Sequence, residues 1–172
     1  MLEFFADRLK VHLRQQGIRH DLIQAVFSLK KEDDLVRLIG QVKALDEFLA
    51  SEDGANILIA YRRATNILRI EEKKDDRKHD GGVDEDLLQP GEEFDLAKAL
   101  SVVIVQIEDA LASEDFAQAM KSMAKLRRPV DGFFDSVIVN TKDDALRINR
   151  LRLLSKIRLT LGKVADFSEI EG

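Results

Sequence analysis

A chain of 172 residues with 45% hydrophobic and 34% charged side chains has room for one domain with a buried core. It contains no cysteine, which excludes disulfides, thiolate catalysis and thiolate zinc sites and suits a reducing cytosol. The net charge of −5 argues against a non-specific nucleic-acid coat, no apolar run reaches the roughly 18–20 residues of a membrane span, and no signal-peptide pattern opens the chain.

Helical periodicity runs through almost the whole sequence. Phe4, Phe5, Leu9 and Leu13 form a first apolar stripe that ends at Gly17, a C-cap. Asp21 is placed to cap a short helix carrying Leu22, Val26 and Leu29. Asp33 or Asp34 opens a third, with Leu35, Leu38, Ile39, Val42, Leu45 and Leu49 on one face. Ser51, followed by Glu52 and Asp53, marks the next start, because acids favour a first turn. That helix carries Ile57, Leu58, Tyr61, Ala64, Ile67 and Leu68, then fades into the charged stretch 71–78. His79-Asp80-Gly81-Gly82 and Pro90-Gly91 are breaks, and the acidic, poorly periodic segment 72–91 reads as a loop or mobile insertion. Helix resumes near Phe94 and continues to about Ala112, with Leu96, Leu100, Val103 and Ile107 inward. Ser113 is placed to cap the next helix, which holds Phe116, Met120, Met123 and Ala124 and is ended by Pro129. The short apolar run 133–139 fits a helical turn better than a strand in this context. Asp143 starts a long helix to about Gly162, with Leu146, Leu153, Ile157 and Leu161 on one face. The expectation is one all-α domain over residues 1–172, a bundle of about six to eight helices.

Chemistry is sparse. The three histidines, His12, His20 and His79, are too scattered for a metal-ligand pattern, and there is no phosphate-binding glycine loop, nucleophile elbow or HExxH. Carboxylate pairs such as Asp33-Asp34, Asp75-Asp76 and Asp143-Asp144 fall at expected helix ends, where capping explains them better than acid–base work. No catalytic residue and no metal ligand is assigned.

Charge is distributed unevenly. From Asp84 to Asp115 ten acidic residues face a single basic one, Lys98; from Lys142 to Lys163 seven basic residues face two acidic ones. Such polarity can offer a cationic face to phosphates, although a solvated helix face is the plainer reading. Arg62, Asn66 and Arg69 follow Tyr61 at i, i+4 and i+7 spacing, beside Arg63. Lys125, Arg127 and Arg128 sit just before Pro129, and Arg147, Arg150 and Arg158 share a strip with Arg152 and Lys156 to one side. Arginine can fork onto phosphate or stack on a base, and asparagine can bond two acceptors and donors on a base edge. The competing reading is that each arginine pairs with one of the many acids.

The last third carries a resemblance. Phe133-Phe134-Asp135-Ser136-Val137-Ile138-Val139, then Asp144-Ala145-Leu146-Arg147-Ile148-Asn149-Arg150-Leu151-Arg152-Leu153-Leu154, then Val164-Ala165-Asp166-Phe167-Ser168 resembles the closing signature of bacterial glycyl-tRNA synthetase β subunits. Asp144-Ala145-Leu146-Arg147 is similar to the namesake DALR pattern of an anticodon-binding domain shared with arginyl-tRNA synthetases. Upstream, Asp7-Arg8, the segment 17–21, Ile23-Gln24-Ala25-Val26 and Arg63-Ala64-Thr65-Asn66-Ile67-Leu68 resemble earlier blocks of the same subunit, in order. The resemblance implies a C-terminal helical module that binds the anticodon region of glycine tRNA, in the cytoplasm, alongside the rest of the β subunit and α subunits that carry the aminoacylation site. It implies that ATP and magnesium are used by the parent glycine–tRNA ligase at sites outside this chain. Glycine anticodons carry two cytosines, whose edges unstacked loop bases would expose. The implied tRNA-binding set is Arg62, Arg63, Asn66, Arg69, Arg127, Arg128, Arg147, Asn149, Arg150 and Arg152. Asn66 is the expected base reader, and Arg150 and Arg152 the phosphate partners. Arg147 reads equally as a functional arginine or a brace, Leu146 reads as core, and Phe133 and Phe134 read as buried rather than stacked on bases. The alternative function is a helical scaffold that docks on a partner subunit and touches RNA little.

Overall fold

The computed structural model describes residues 2–29 and 35–171. Among these residues the regular structure is eight α-helices and two 3₁₀ turns, so the chain is all-α. The helices are α1 (Leu2–Gln15), α2 (His20–Phe27), α3 (Leu35–Ala50), α4 (Glu52–Asp75), α5 (Glu92–Ala112), α6 (Phe116–Ala124), α7 (Arg127–Ser136) and α8 (Asp144–Gly162). The 3₁₀ turns are Glu85–Leu87 and Phe167–Glu169.

Local chemistry sets most helix ends. Gly17 adopts φ +87° after α1, a conformation that a Cβ would strain. Its N–H donates to Arg14 C=O at 3.0 Å, and Ile18 N–H donates to Leu13 C=O at 3.2 Å, a Schellman closure with Leu13 and Ile18 both buried. Asp21 lies inside the first turn of α2, not at its N-cap, which is Arg19. Its carboxylate instead accepts from the Glu171 N–H at 2.8 Å and from the Arg19 guanidinium, fastening the last described residues onto α2. Burial works against the Asp21 charge, but these donors hold its carboxyl below the usual value. The N-cap expected at Asp33 or Asp34 lies outside the described residues.

Ser51 alone joins α3 to α4, its Oγ accepting from Gly54 N–H at 3.1 Å. The turn is so tight that a Cβ on Gly54 would lie 1.8 Å from the Phe48 carbonyl oxygen. α4 runs on to Asp75, beyond the point where its apolar stripe fades, and Asp76 ends it in the left-handed region with φ 51°. Its last turns persist because Glu71, Glu72 and Asp75 find cationic partners from elsewhere in the fold. Helix α5 begins at Glu92, two residues ahead of Phe94, which is half-exposed.

Two further boundaries differ from the sequence expectation. Ser113 caps the C-terminus of α5, while Asp115 accepts from Gln118 N–H at 3.1 Å and opens α6. Pro129 lies within the first turn of α7, where a missing N–H costs nothing because that donor has no helical partner. Helix α6 has already stopped at Ala124. Asp143 caps α8 by accepting from Ala145 and Leu146 N–H at 3.1 and 3.2 Å.

α4 forms the axis, packed against α3, α6, α7 and α8, while α5 packs on α6, α7 and α8. The core includes Leu22, Leu45, Ile57, Leu68, Leu96, Leu100, Ile107, Met123, Phe133, Leu154 and Phe167, each almost fully buried. Two expectations reverse here. Phe4 and Phe5 are 59% and 51% exposed, so the first stripe buries only its Leu9–Leu13 end. Leu146 is only half-buried, whereas its neighbour Arg147 is buried.

Candidate nucleic-acid interface

Helix α4 places its charged residues on separate flanks, because successive residues are turned by about 100° on a helix. Arg62, Asn66, Arg69 and Lys73 share the outer strip. Two adjoining depressions run beside it, of about 650 and 620 Å³. The first is lined by Arg62, Asn66, Arg69 and Arg158 with Tyr61, Phe167 and Ile170; the second by Arg69, Lys73, Arg77, Lys78 and Arg158 with Glu72 and Asp76. The combined groove therefore carries six cations against two carboxylates, on a chain whose net charge is −5.

One of those carboxylates is already committed. Glu72, 6% exposed, accepts from the His79 N–H at 3.1 Å, from Lys78 Nζ at 3.2 Å and from Arg158 at 3.4 Å. Burial opposes its charge, yet these three donors hold its carboxyl below the ordinary value. Lys73 and Arg77 have no ion-pair partner among the described residues. Arg69 donates to Asn66 Oδ1 at 2.9 Å, which leaves the Asn66 amide nitrogen facing solvent. Arg62 is half-buried and donates to the Ile170 carbonyl at 2.6 Å.

The remaining sequence-selected residues go to other places. Arg147 is 9% exposed and bonds Glu71 and, at 2.8 Å, Asp75, while its Nε–H donates to Asn140 Oδ1 at 3.2 Å. Its hydrogen bond to Arg147 dominates the lowering of the Asp75 carboxyl, against the opposing effect of burial, and His79 adds to it. Asn149 is 1% exposed; its Oδ1 accepts the Asp84 N–H at 2.7 Å and its Nδ2 donates to the Asp84 carbonyl at 2.9 Å. Arg150 bonds the buried Glu93 and donates to the Ile138 carbonyl at 2.7 Å. Arg127 ties α7 to the start of α4 through Asp53 at 2.8 Å and Glu52 at 3.0 Å. Arg152 is half-buried, with Nε 3.1 Å from where a Cβ on Gly81 would lie. Arg128 is exposed, and Arg63 lies with its guanidinium carbon 4.5 Å from the Phe134 ring centroid.

The structure thus brings Arg62, Asn66 and Arg69 together with Arg158, Lys73, Arg77 and Lys78. Arg147 reaches the other edge of α4, and Arg150 turns toward α5. The last three lysine and arginine members were obscured in sequence because acids alternate with them through 71–78. Their signal is the continuation of the 62, 66, 69 spacing to 73.

A family model described as the DALR anticodon binding domain matches residues 57–171. The whole chain aligns with glycine–tRNA ligase beta subunits. It is 58% identical over 173 residues to that of Rhodospirillum centenum (strain ATCC 51521 / SW), covering 100% of this chain and 24% of the relative. It is 52% identical over 172 residues to that of Phenylobacterium zucineum (strain HLK1), and 48% identical over 172 residues to that of Ruegeria sp. (strain TM1040), in each case covering 100% of this chain and 25% of the relative. The chain spans about a quarter of the length of the curated relatives it matches.

Proposed function

The chain belongs to the family of DALR anticodon-binding domains, and on that premise we propose that it engages the anticodon region of glycine tRNA as a module of a glycine–tRNA ligase β subunit. The observation that carries this reading is the groove along α4, where six cations face two carboxylates on an otherwise acidic chain. A groove of that sign follows a phosphate backbone, while exposed Asn66 and the arginines beside it can meet base edges. On this reading ligation itself, with its ATP and magnesium, belongs to other parts of the enzyme, including α subunits. Residues of this chain supply position and selectivity for the RNA, in the cytoplasm.

A second reading has one specific observation behind it. Phe94, Val102 and Val105 on α5 are about half-exposed within the acidic stretch, a surface suited to protein rather than RNA. The two readings can both hold, since α5 and the α4 groove present different residues.

Fluorescence titration of the chain with glycine tRNA at two or more salt concentrations tests the first reading. Binding should weaken steeply with salt, and Arg69→Ala and Arg77→Ala should each lower the slope of log K against log salt by about 0.7–0.9. Salt-independent binding, or slopes unchanged in folded variants, would remove the groove from the interface.

A further inference from the structure

On the flank of α4 away from the groove lies a smaller pocket of about 280 Å³, between α4, the end of α7 and the loop that follows it. We propose that this pocket receives one unstacked nucleobase of the bound RNA, stacked on Phe134 and read at its edge by Glu71 and Asn140. The inference rests on the RNA reading above and assigns a base-specific site to it.

Three observations support it. The first is the wall. Phe134 is half-buried, lines the pocket with Ile67 and Ile70, meets the Phe133 ring edge-on at 5.7 Å between centroids, and carries the Arg63 guanidinium over its face. That guanidinium lies 4.5 Å from the ring centroid and has no ion-pair partner among the described residues, so it can slide aside to cover the other face of an entering base. The pocket falls below the roughly 300–1,000 Å³ of sites for drug-sized ligands and suits a single flat ring system.

The second is the rim. Asn140 stands at the tip of a tight turn, in which Thr141 N–H donates to Val139 C=O at 2.9 Å. Because Arg147 Nε–H donates to Asn140 Oδ1 at 3.2 Å, the amide oxygen is identified by its partner and the Nδ2 donors have no partner among the described residues. The same guanidinium bonds one oxygen of Glu71, which is 8% exposed, and leaves Oε1 without a partner among the described residues. Arg147 thereby holds an acceptor and a donor side by side at the pocket, as a positioning residue. An acceptor beside a donor complements a base edge that offers an exocyclic amine next to a ring nitrogen, as cytosine and adenine do. In the seating that sets an exocyclic amine on Glu71, uracil and guanine would place a carbonyl oxygen against that carboxylate, so the pair discriminates to the extent that the Phe134 wall fixes the position of the ring.

The third is the setting. Arg62 and Arg63 are consecutive residues, so the phosphate groove and this pocket lie on adjoining flanks of one helix about 10–12 Å across. A single strand crossing α4 can place its backbone in the groove and turn one base into the pocket.

Anticodon stem-loops with each loop cytosine replaced in turn by uracil, titrated against the wild-type chain, Phe134→Leu, Asn140→Asp and Arg69→Ala, test the proposal. Phe134→Leu keeps apolar bulk but loses the stacking face, and should weaken binding about five- to a hundredfold with an unchanged salt slope. Asn140→Asp still satisfies Arg147 but loses the donor, and should reduce the preference for cytosine over uracil at one position about tenfold. Arg69→Ala should lower the salt slope and keep that preference. A fluorescent cytosine analogue at the same position should be quenched by the wild-type chain and less so by Phe134→Leu. If both pocket variants melt like wild type and bind and discriminate like it, while Arg69→Ala weakens binding, the pocket is not a base site. In that case the RNA reading stands. If the wild-type chain binds no stem-loop, the RNA reading and the pocket fall together.

Discussion

Replacing Asn149 with alanine cuts the clasp between α8 and the 3₁₀ turn that follows the loop after α4. The side chain is 1% exposed and engages both backbone groups of Asp84, accepting at 2.7 Å and donating at 2.9 Å. Each neutral hydrogen bond contributes about 0.5–1.5 kcal/mol net, so losing two costs about 1–3 kcal/mol. Asp84 itself is exposed, which lets water recover its freed N–H and C=O and favours the lower half of that range. For a domain of this size a loss of 1–2 kcal/mol corresponds to a melting temperature lowered by about 2–8 °C. Asn149→Asp keeps the acceptor but sets a carboxylate against the Asp84 carbonyl, and should be at least as destabilising at neutral pH. Urea unfolding of both variants measures the cost, and hydrogen exchange should show faster exchange around Asp84 before any other segment. RNA affinity per folded molecule should match wild type, because neither amide atom is presented to solvent. An unchanged unfolding midpoint accompanied by weakened RNA binding would refute the reasoning and return Asn149 to the RNA interface.

Gly54→Ala forces a Cβ to within 1.8 Å of the Phe48 carbonyl oxygen, and chemical denaturation should register a loss of at least about 1–3 kcal/mol as the α3–α4 joint opens. Glu72 and Asp75 have carboxyls held below their ordinary values, so their contribution is present above the unfolded values near about pH 4 and is lost as pH falls through the lowered folded values. Thermal melts should therefore be flat from neutral pH down to about pH 5 and fall below it, and the fall should be shallower in Glu72→Gln. Within residues 72–91, hydrogen exchange should be slow at His79 and Asp84, whose N–H groups donate to Glu72 and Asn149, and fast at exposed Gly81 and Gly82. Uniformly fast exchange across the segment would mean that these anchors do not persist in solution.

The helices were legible because their signals are local. Ser51, Asp143 and Gly17 act on donors and acceptors within a few residues, and the stripes of α4, α5 and α8 repeat at helical spacing. The sequence reading also finds the DALR block and the arginine strip at 62, 66 and 69. What it could not separate is which arginines are free, since that depends on partners distant in the chain. Arg147 meets Glu71 across 76 positions, Arg150 meets Glu93 across 57, and Arg158 reaches Glu72 across 86. No short-range pattern encodes those pairings. The same distances explain why Arg147 rather than Leu146 takes the buried place: the apolar stripe of α8 is set by helical spacing, but buried Glu71 and partly buried Asp75 on α4 draw the arginine inward.

That placement also bears on mechanism. An arginine held on Glu71 and Asp75 cannot leave for a phosphate without abandoning carboxylates of which Glu71 is 8% exposed, and breaking such a buried pair costs more than a surface phosphate contact returns. It can act without moving, however, because its third bond aims Asn140 and its first orients Glu71 at the same small pocket. On the proposed reading, phosphate binding is then left to cations with no ion-pair partner among the described residues, Lys73 and Arg77 foremost, and base selection to groups fixed from behind. The two functions can therefore be separated by mutation, with salt slope reporting on one flank of α4 and base preference on the other.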